Sequence, residues 1–83
     1  MNNPDIFNTM VGLDLVPVTP SDTVDLARSA RAIRCVGTAG TLRFDTIAGE
    51  TRNTSIGANE VLMVGATRIH ATGTTATSIE AII

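Results

Sequence analysis

Lysine, tryptophan and tyrosine are absent from this 83-residue sequence, and cysteine and histidine occur once each. Each shortage removes a class of function. Nucleic-acid binding requires clustered cations to neutralise phosphates, whereas the six arginines are dispersed and outnumbered by eight acids, for a net charge of -2. A P-loop ends in Lys-Ser/Thr at a helix start, and without lysine the Gly73-Thr74-Thr75 stretch cannot be one. Cys35 has no partner for an internal disulfide, and one cysteine with one histidine cannot make a structural zinc site. Asp22 and Asp25 lack the oxygen-rich spacing of a calcium loop. No metal and no cofactor are expected.

Aromatic side chains are almost as scarce, with Phe7 and Phe44 the two examples. Sugar sites built on aromatic platforms are disfavoured for that reason. So is a large core, since rings supply much of the burial in small domains. Below roughly 70 to 80 residues a single core rarely supplies more than about 3 to 5 kcal/mol, and disulfides, metals or partner subunits make up the difference. With the first two missing here, self-association or docking on a larger assembly is the expected remedy. Long hydrophobic runs are also missing. None approaches the roughly 20 residues of a membrane span, and the opening MNNPDIFNTMVGLDL has neither a basic segment nor an apolar stretch of signal-peptide length. A soluble, unprocessed protein without membrane partners is expected.

What the sequence does contain is threonine, its commonest residue, together with Val, Ile, Leu and Ala in short alternating runs punctuated by glycine. Residues 1–14 read as an extended N-terminal arm, in which Ile6, Phe7, Met10, Val11 and Leu13 follow no single period. Residues 15–83 read as a single β domain. Leu15-Val16-Pro17-Val18-Thr19 forms a strand that Pro17 confines to an edge or a sheet start, and residues 22–27 can wind one helical turn capped by Ser21 or Asp22. Further strands follow at residues 33–35 and 42–44, at 51–56, at 61–64 and at 67–71, the last after a glycine, Gly65, that permits a bulge.

Two hairpins are expected from register arithmetic. A turn at Ala39-Gly40 pairs Gly37 with Leu42, Cys35 with Phe44, and Arg34 with Asp45. A loop centred on Gly73-Thr74-Thr75 pairs Ile69 with Ile79 and Arg68 with Glu80. In that register His70 lies on a polar face with Arg68, Ser78 and Glu80, while Ile69, Ile79 and Ile83 face inward. The fold expected is all-β: a small antiparallel β-sandwich or jelly-roll-like barrel of six to eight short strands, with the arm attached.

His70, Ser78 and Glu80 are the right residue types for a nucleophile, a base and an orienting acid. The alternative is a solvated histidine beside a cross-strand ion pair, which is the ordinary content of an exposed sheet face. Cys35, facing inward against Phe44, reads as a small core residue rather than a reactive thiol. No catalytic, cofactor-binding or metal-binding residues are therefore assigned.

Three stretches carry a resemblance: VTPSDTVDL at residues 18–26, RAIRCVGTAGTL at 31–42, and ATGTTAT at 71–77. In this order they resemble the spike base protein family of alphaproteobacterial gene transfer agents and tailed bacteriophages, over roughly residues 16 to 83. The polar middle, residues 46–59, the arm, and the ending Ala81-Ile82-Ile83 depart from the family pattern. The resemblance implies a non-enzymatic virion component made in the host cytoplasm: a homo-oligomer, trimer or pentamer, on the capsid surface. Its implied partners are the major capsid protein and a spike or fibre protein. A capsid decoration (cement) protein without a fibre and a host-glycan-binding module are the alternatives.

Overall fold

The computed structural model describes residues 14–83. Apart from Asp14, the expected arm lies outside the described residues. Seven strands are formed: β1 (Leu15–Pro17), β2 (Ala32–Cys35), β3 (Gly40–Thr46), β4 (Thr51–Ile56), β5 (Val61–Leu62), β6 (Ala66–Ile69) and β7 (Ile79–Ile82). They make two sheets, ordered β1-β7-β2-β5 and β4-β3-β6, with every pairing antiparallel. There is no helix among the described residues, and the all-β expectation holds.

Alternation explains the core. Ile33 and Cys35 on β2 and Ile79 and Ala81 on β7 line one sheet, and Leu42 and Phe44 on β3, Ile56 on β4, and Ala66 and Ile69 on β6 line the other. All nine are buried in one cluster, joined by Ala30 and Ala76. Residues between them, such as Arg43 and Glu80, are half-buried at the outer faces. Among the described residues Phe44 is the cluster's single aromatic, and the rest of its described volume is made by branched aliphatic and small side chains. Such a core depends on close interdigitation rather than on rings.

Neither expected hairpin exists. Cys35 lies opposite Ile79, and Arg34 opposite both Glu80 and Val61, whereas Phe44 lies opposite Arg52 and Ile69. Strands β2 and β3 are thus in different sheets, as are β6 and β7, and residues 36–39 and 70–78 carry the chain from one layer to the other. The inward faces are nonetheless the expected ones, with Ile33, Cys35, Leu42, Phe44, Ile69 and Ile79 buried. Apolar side chains can meet in the plane of a sheet or across the gap between two sheets, and alternation is satisfied by either.

The β3–β4 connection is a true hairpin. Gly49 N donates to Thr46 O at 2.9 Å and Thr46 N donates to Glu50 O at 2.7 Å, with Gly49 at φ 90°. That is the three-residue loop in which glycine takes the left-handed position. The helical turn expected over residues 22–27 is not formed. Ser21 Oγ does accept from Thr23 N and Val24 N, but Leu26 N donates to Thr67 O and Ser21 N to Ile69 O. The segment is drawn onto the outer edge of β6 instead, and covers it. Pro17 stands in the edge strand β1, where a missing N–H costs no ladder bond.

Candidate functional site

The threonine-rich segment 71–77, the best candidate for a ligand loop in the sequence, is used to close the sandwich. Three of its threonines each make a two-way exchange with the β3 side of the molecule. Thr75 N donates to Thr41 O at 2.9 Å while Thr75 Oγ1 accepts from Thr41 N at 2.8 Å. Thr77 N donates to Thr38 O at 3.1 Å while its Oγ1 accepts from Thr38 N at 2.7 Å. Thr74 Oγ1 accepts from Arg43 N at 3.0 Å and donates to Arg43 O at 3.4 Å.

In an antiparallel ladder two facing residues exchange backbone bonds. Strand β6 supplies such partners as far as Phe44, and His70 N adds one bond to Arg43 O at 2.9 Å. Beyond that point the chain leaves for the other sheet, and hydroxyls take over the accepting role. A short side chain carrying an oxygen one bond from Cβ does this well, which is why serine and threonine compete with regular backbone pairing. Glycines make room for the crossing. A Cβ on Gly37 would overlap the Thr77 hydroxyl, and one on Gly40 would stand 2.5 Å from Thr75 Oγ1 and 2.7 Å from Ala76 N. Gly73, at φ 92°, lies against the stem of Arg43.

Next to this staple is a polar clasp. Asp22 Oδ1 accepts from Thr72 N at 2.9 Å, and Asp22 Oδ2 accepts from Thr72 Oγ1 at 2.6 Å. Arg68 Nε donates to Asp25 Oδ1 at 2.8 Å, and its terminal nitrogens donate to the carbonyls of Asp22 and Thr23 at 3.1 and 3.3 Å. His70 Nε2 donates to Asp45 Oδ1 at 2.8 Å, and Nδ1 lies 3.6 Å from Asp22 Oδ1. Thr51 Oγ1 also donates to Asp45 Oδ1, at 2.6 Å. The Thr72 hydroxyl and amide hold the Asp22 carboxyl below the usual carboxylate range, helped by the charge of His70. The Thr51 hydroxyl does the same for Asp45, followed by the hydrogen bond from His70. Hydrogen bonds to the charged form are the common cause.

The expected His70, Ser78 and Glu80 face is not assembled. His70 has a side chain 14% exposed, so it is not the solvated residue expected, and its two nitrogens face Asp45 and Asp22. Glu80 is on β7 in the other sheet, opposite Arg34 and Pro17. Ser78, at φ 56°, accepts from Val36 N through its carbonyl. Arg68 pairs with Asp25 rather than Glu80. The hydroxyls near the clasp, on Thr51 and Thr72, already donate to carboxylates. Cys35 is fully buried, with Sγ 3.4 Å from the carbonyls of Thr38 and Thr77. Among the described residues, no three of His, Cys, Asp and Glu are placed to hold a metal ion.

Sequence reasoning missed the Asp22–Thr72 and Arg68–Asp25 contacts, which join residues 43 to 50 positions apart. A signal for them was present. Asp22 belongs to VTPSDTVDL and Thr72 to ATGTTAT, and the third stretch, with Gly37, Thr38, Gly40 and Thr41, receives the rest of that loop. The 71–77 loop thus bonds to both of the other stretches.

Open hollows are found on the described surface. One, of about 330 Å³, is lined mainly by apolar residues of β1, β7 and the 25–28 segment. Another, a shallow space of about 530 Å³, lies along Gly40, Ser55 and Glu60.

No family model matches the chain, and no curated protein does. A solved structure does: a chain described as "Capsid of native GTA particle computed with C5 symmetry" is 37% identical, over 93% of this chain and 98% of that one, with a TM-score of 0.74.

Proposed function

We infer the role of this protein from its family, since the chain belongs to that of the GTA capsid chain. It is a structural component of a phage-like particle, carried on the capsid surface in several copies and without enzymatic activity. Its place there is the base on which a head spike or fibre stands, between the major capsid protein and the spike. The observation that carries this reading is a likeness running over 93% of the chain at 37% identity, far more than one motif. The arrangement of polar groups supports it further. The residue types from which a catalytic site could be made are engaged in holding loops to sheets, and mechanical integrity is what a capsid-surface domain needs.

Sedimentation tests the reading directly. Purified protein mixed with heads from a strain lacking its coding sequence should move with the heads, and reconstruction of the loaded particles should show new surface density. A fibre rising from that density identifies a spike base, and density without a fibre identifies a decoration protein. Protein left entirely in the supernatant would sink both.

A further inference from the structure

Among the described residues strand β1 has one partner, β7, and the hollow of about 330 Å³ lies beside this pair, lined by Val16, Val18, Leu26, Ala27, Ala81 and Ile83. Leu15 and Val16 are 41% and 37% exposed. An edge strand carrying exposed apolar side chains is an invitation to another chain. Residues 1–13 provide one of matching chemistry. They contain Ile6, Phe7, Met10, Val11 and Leu13 and a single charged side chain, Asp5, a composition that matches the mainly apolar lining of the groove. Phe7 is also half of the chain's aromatic complement.

Direction selects whose segment this is. Asp14 N donates to Ile83 O and Ile83 N to Asp14 O, at 3.4 and 3.0 Å, so the chain enters β1 past the end of β7. The groove extends the other way along β1, through Val18 towards Leu26. A segment continuing straight back from Leu15 therefore leaves its own groove behind. Thirteen extended residues reach about 43 Å, far enough to meet an adjacent molecule. We propose that residues 6–11 of one copy seat in the β1–β7 groove of a neighbouring copy, linking subunits by an exchanged arm. The inference rests on the capsid-surface reading for the presence of neighbours, which a concentrated solution also supplies.

Full-length chains carrying Phe7→Cys, mixed with full-length chains carrying Ala27→Cys and mildly oxidised, test it. Ala27 is exposed, and Cys35 is buried in every chain. A covalent dimer of the two chains should form, at least severalfold more than when Phe7→Cys is mixed with Met63→Cys, a position 79% exposed. Three outcomes overturn the proposal: no mixed dimer, equal linkage to Met63→Cys, or linkage confined to a doubly substituted chain at monomer mass. Because no particle is involved, failure here is distinct from failure of the protein to sediment with heads.

Discussion

Two connections of this chain are held in opposite ways. The β3–β4 hairpin is held by its own residues, with Thr46, Gly49 and Glu50 bonding within four positions of one another. The threonine segment after β6 is held by residues 31 to 39 positions away, through hydroxyls that replace a backbone ladder. A turn of the first kind can form early and alone. One of the second kind exists only when both sheets are already in place, because its partners are assembled by the fold. The lesson is that a Gly/Thr-rich stretch does not announce whether it is a free loop or a seam.

Substitutions can break this contrast. The largest effect should come from Gly40→Val, because a Cβ there meets the backbone of Thr75 and Ala76 within 3 Å, and neither can move without opening the seam. A loss of about 2 to 3 kcal/mol in urea denaturation is expected, as for overpacking of a filled site. Gly49→Ala meets no atom within 4 Å, so its effect should be confined to the left-handed φ of 90°. A cost of about 1 to 2 kcal/mol, with no change in m-value, is expected in the same measurement. An equal or larger loss at Gly49 would mean that the local turn, not the seam, limits stability.

Smaller effects sharpen the comparison. Thr75→Val keeps the shape but removes the acceptor for Thr41 N, and should cost about 1 kcal/mol. Amide exchange at Thr41 should rise while exchange at Glu50 stays unchanged. Acid should act on the clasp in the same direction. Asp22 and Asp45 have folded-state pKa values lowered from 3.8, so the stability they contribute is present above that value and lost as pH falls through the folded values. Asp22→Asn should flatten the decline in stability below about pH 4, and a parallel decline in both proteins would remove Asp22 from the account. The smallest change expected is for Asp25→Asn. Its pair with Arg68 is exposed on the Asp25 side, at 61%, and a shift of about 0 to 1 kcal/mol that shrinks in high salt should be seen.

Much of the molecule was legible before its folding was known. Alternation placed Ile33, Cys35, Leu42, Phe44, Ile69 and Ile79 inward, and all six are buried. Pro17 was confined to an edge, and it stands on one. The site was less legible. A hairpin would bring His70 beside Ser78 and Glu80, but the chain crosses between sheets at that point and Asp45 and Asp22 become its neighbours. Arg68 found its carboxylate in Asp25, far away in sequence, for the same reason.

Composition and periodicity by themselves determined that this is a β protein, which side chains face inward, and which chemistries lack their residues. Those are properties of single residues and of period-two alternation, and they do not depend on which strand lies beside which. Strand partners, the threonine seam and the clasp were decided by tertiary structure. An inward side chain gains the same burial whether it meets another across a ladder or across a sandwich, so local pattern cannot separate the two, and only the closing of both sheets around one small core does.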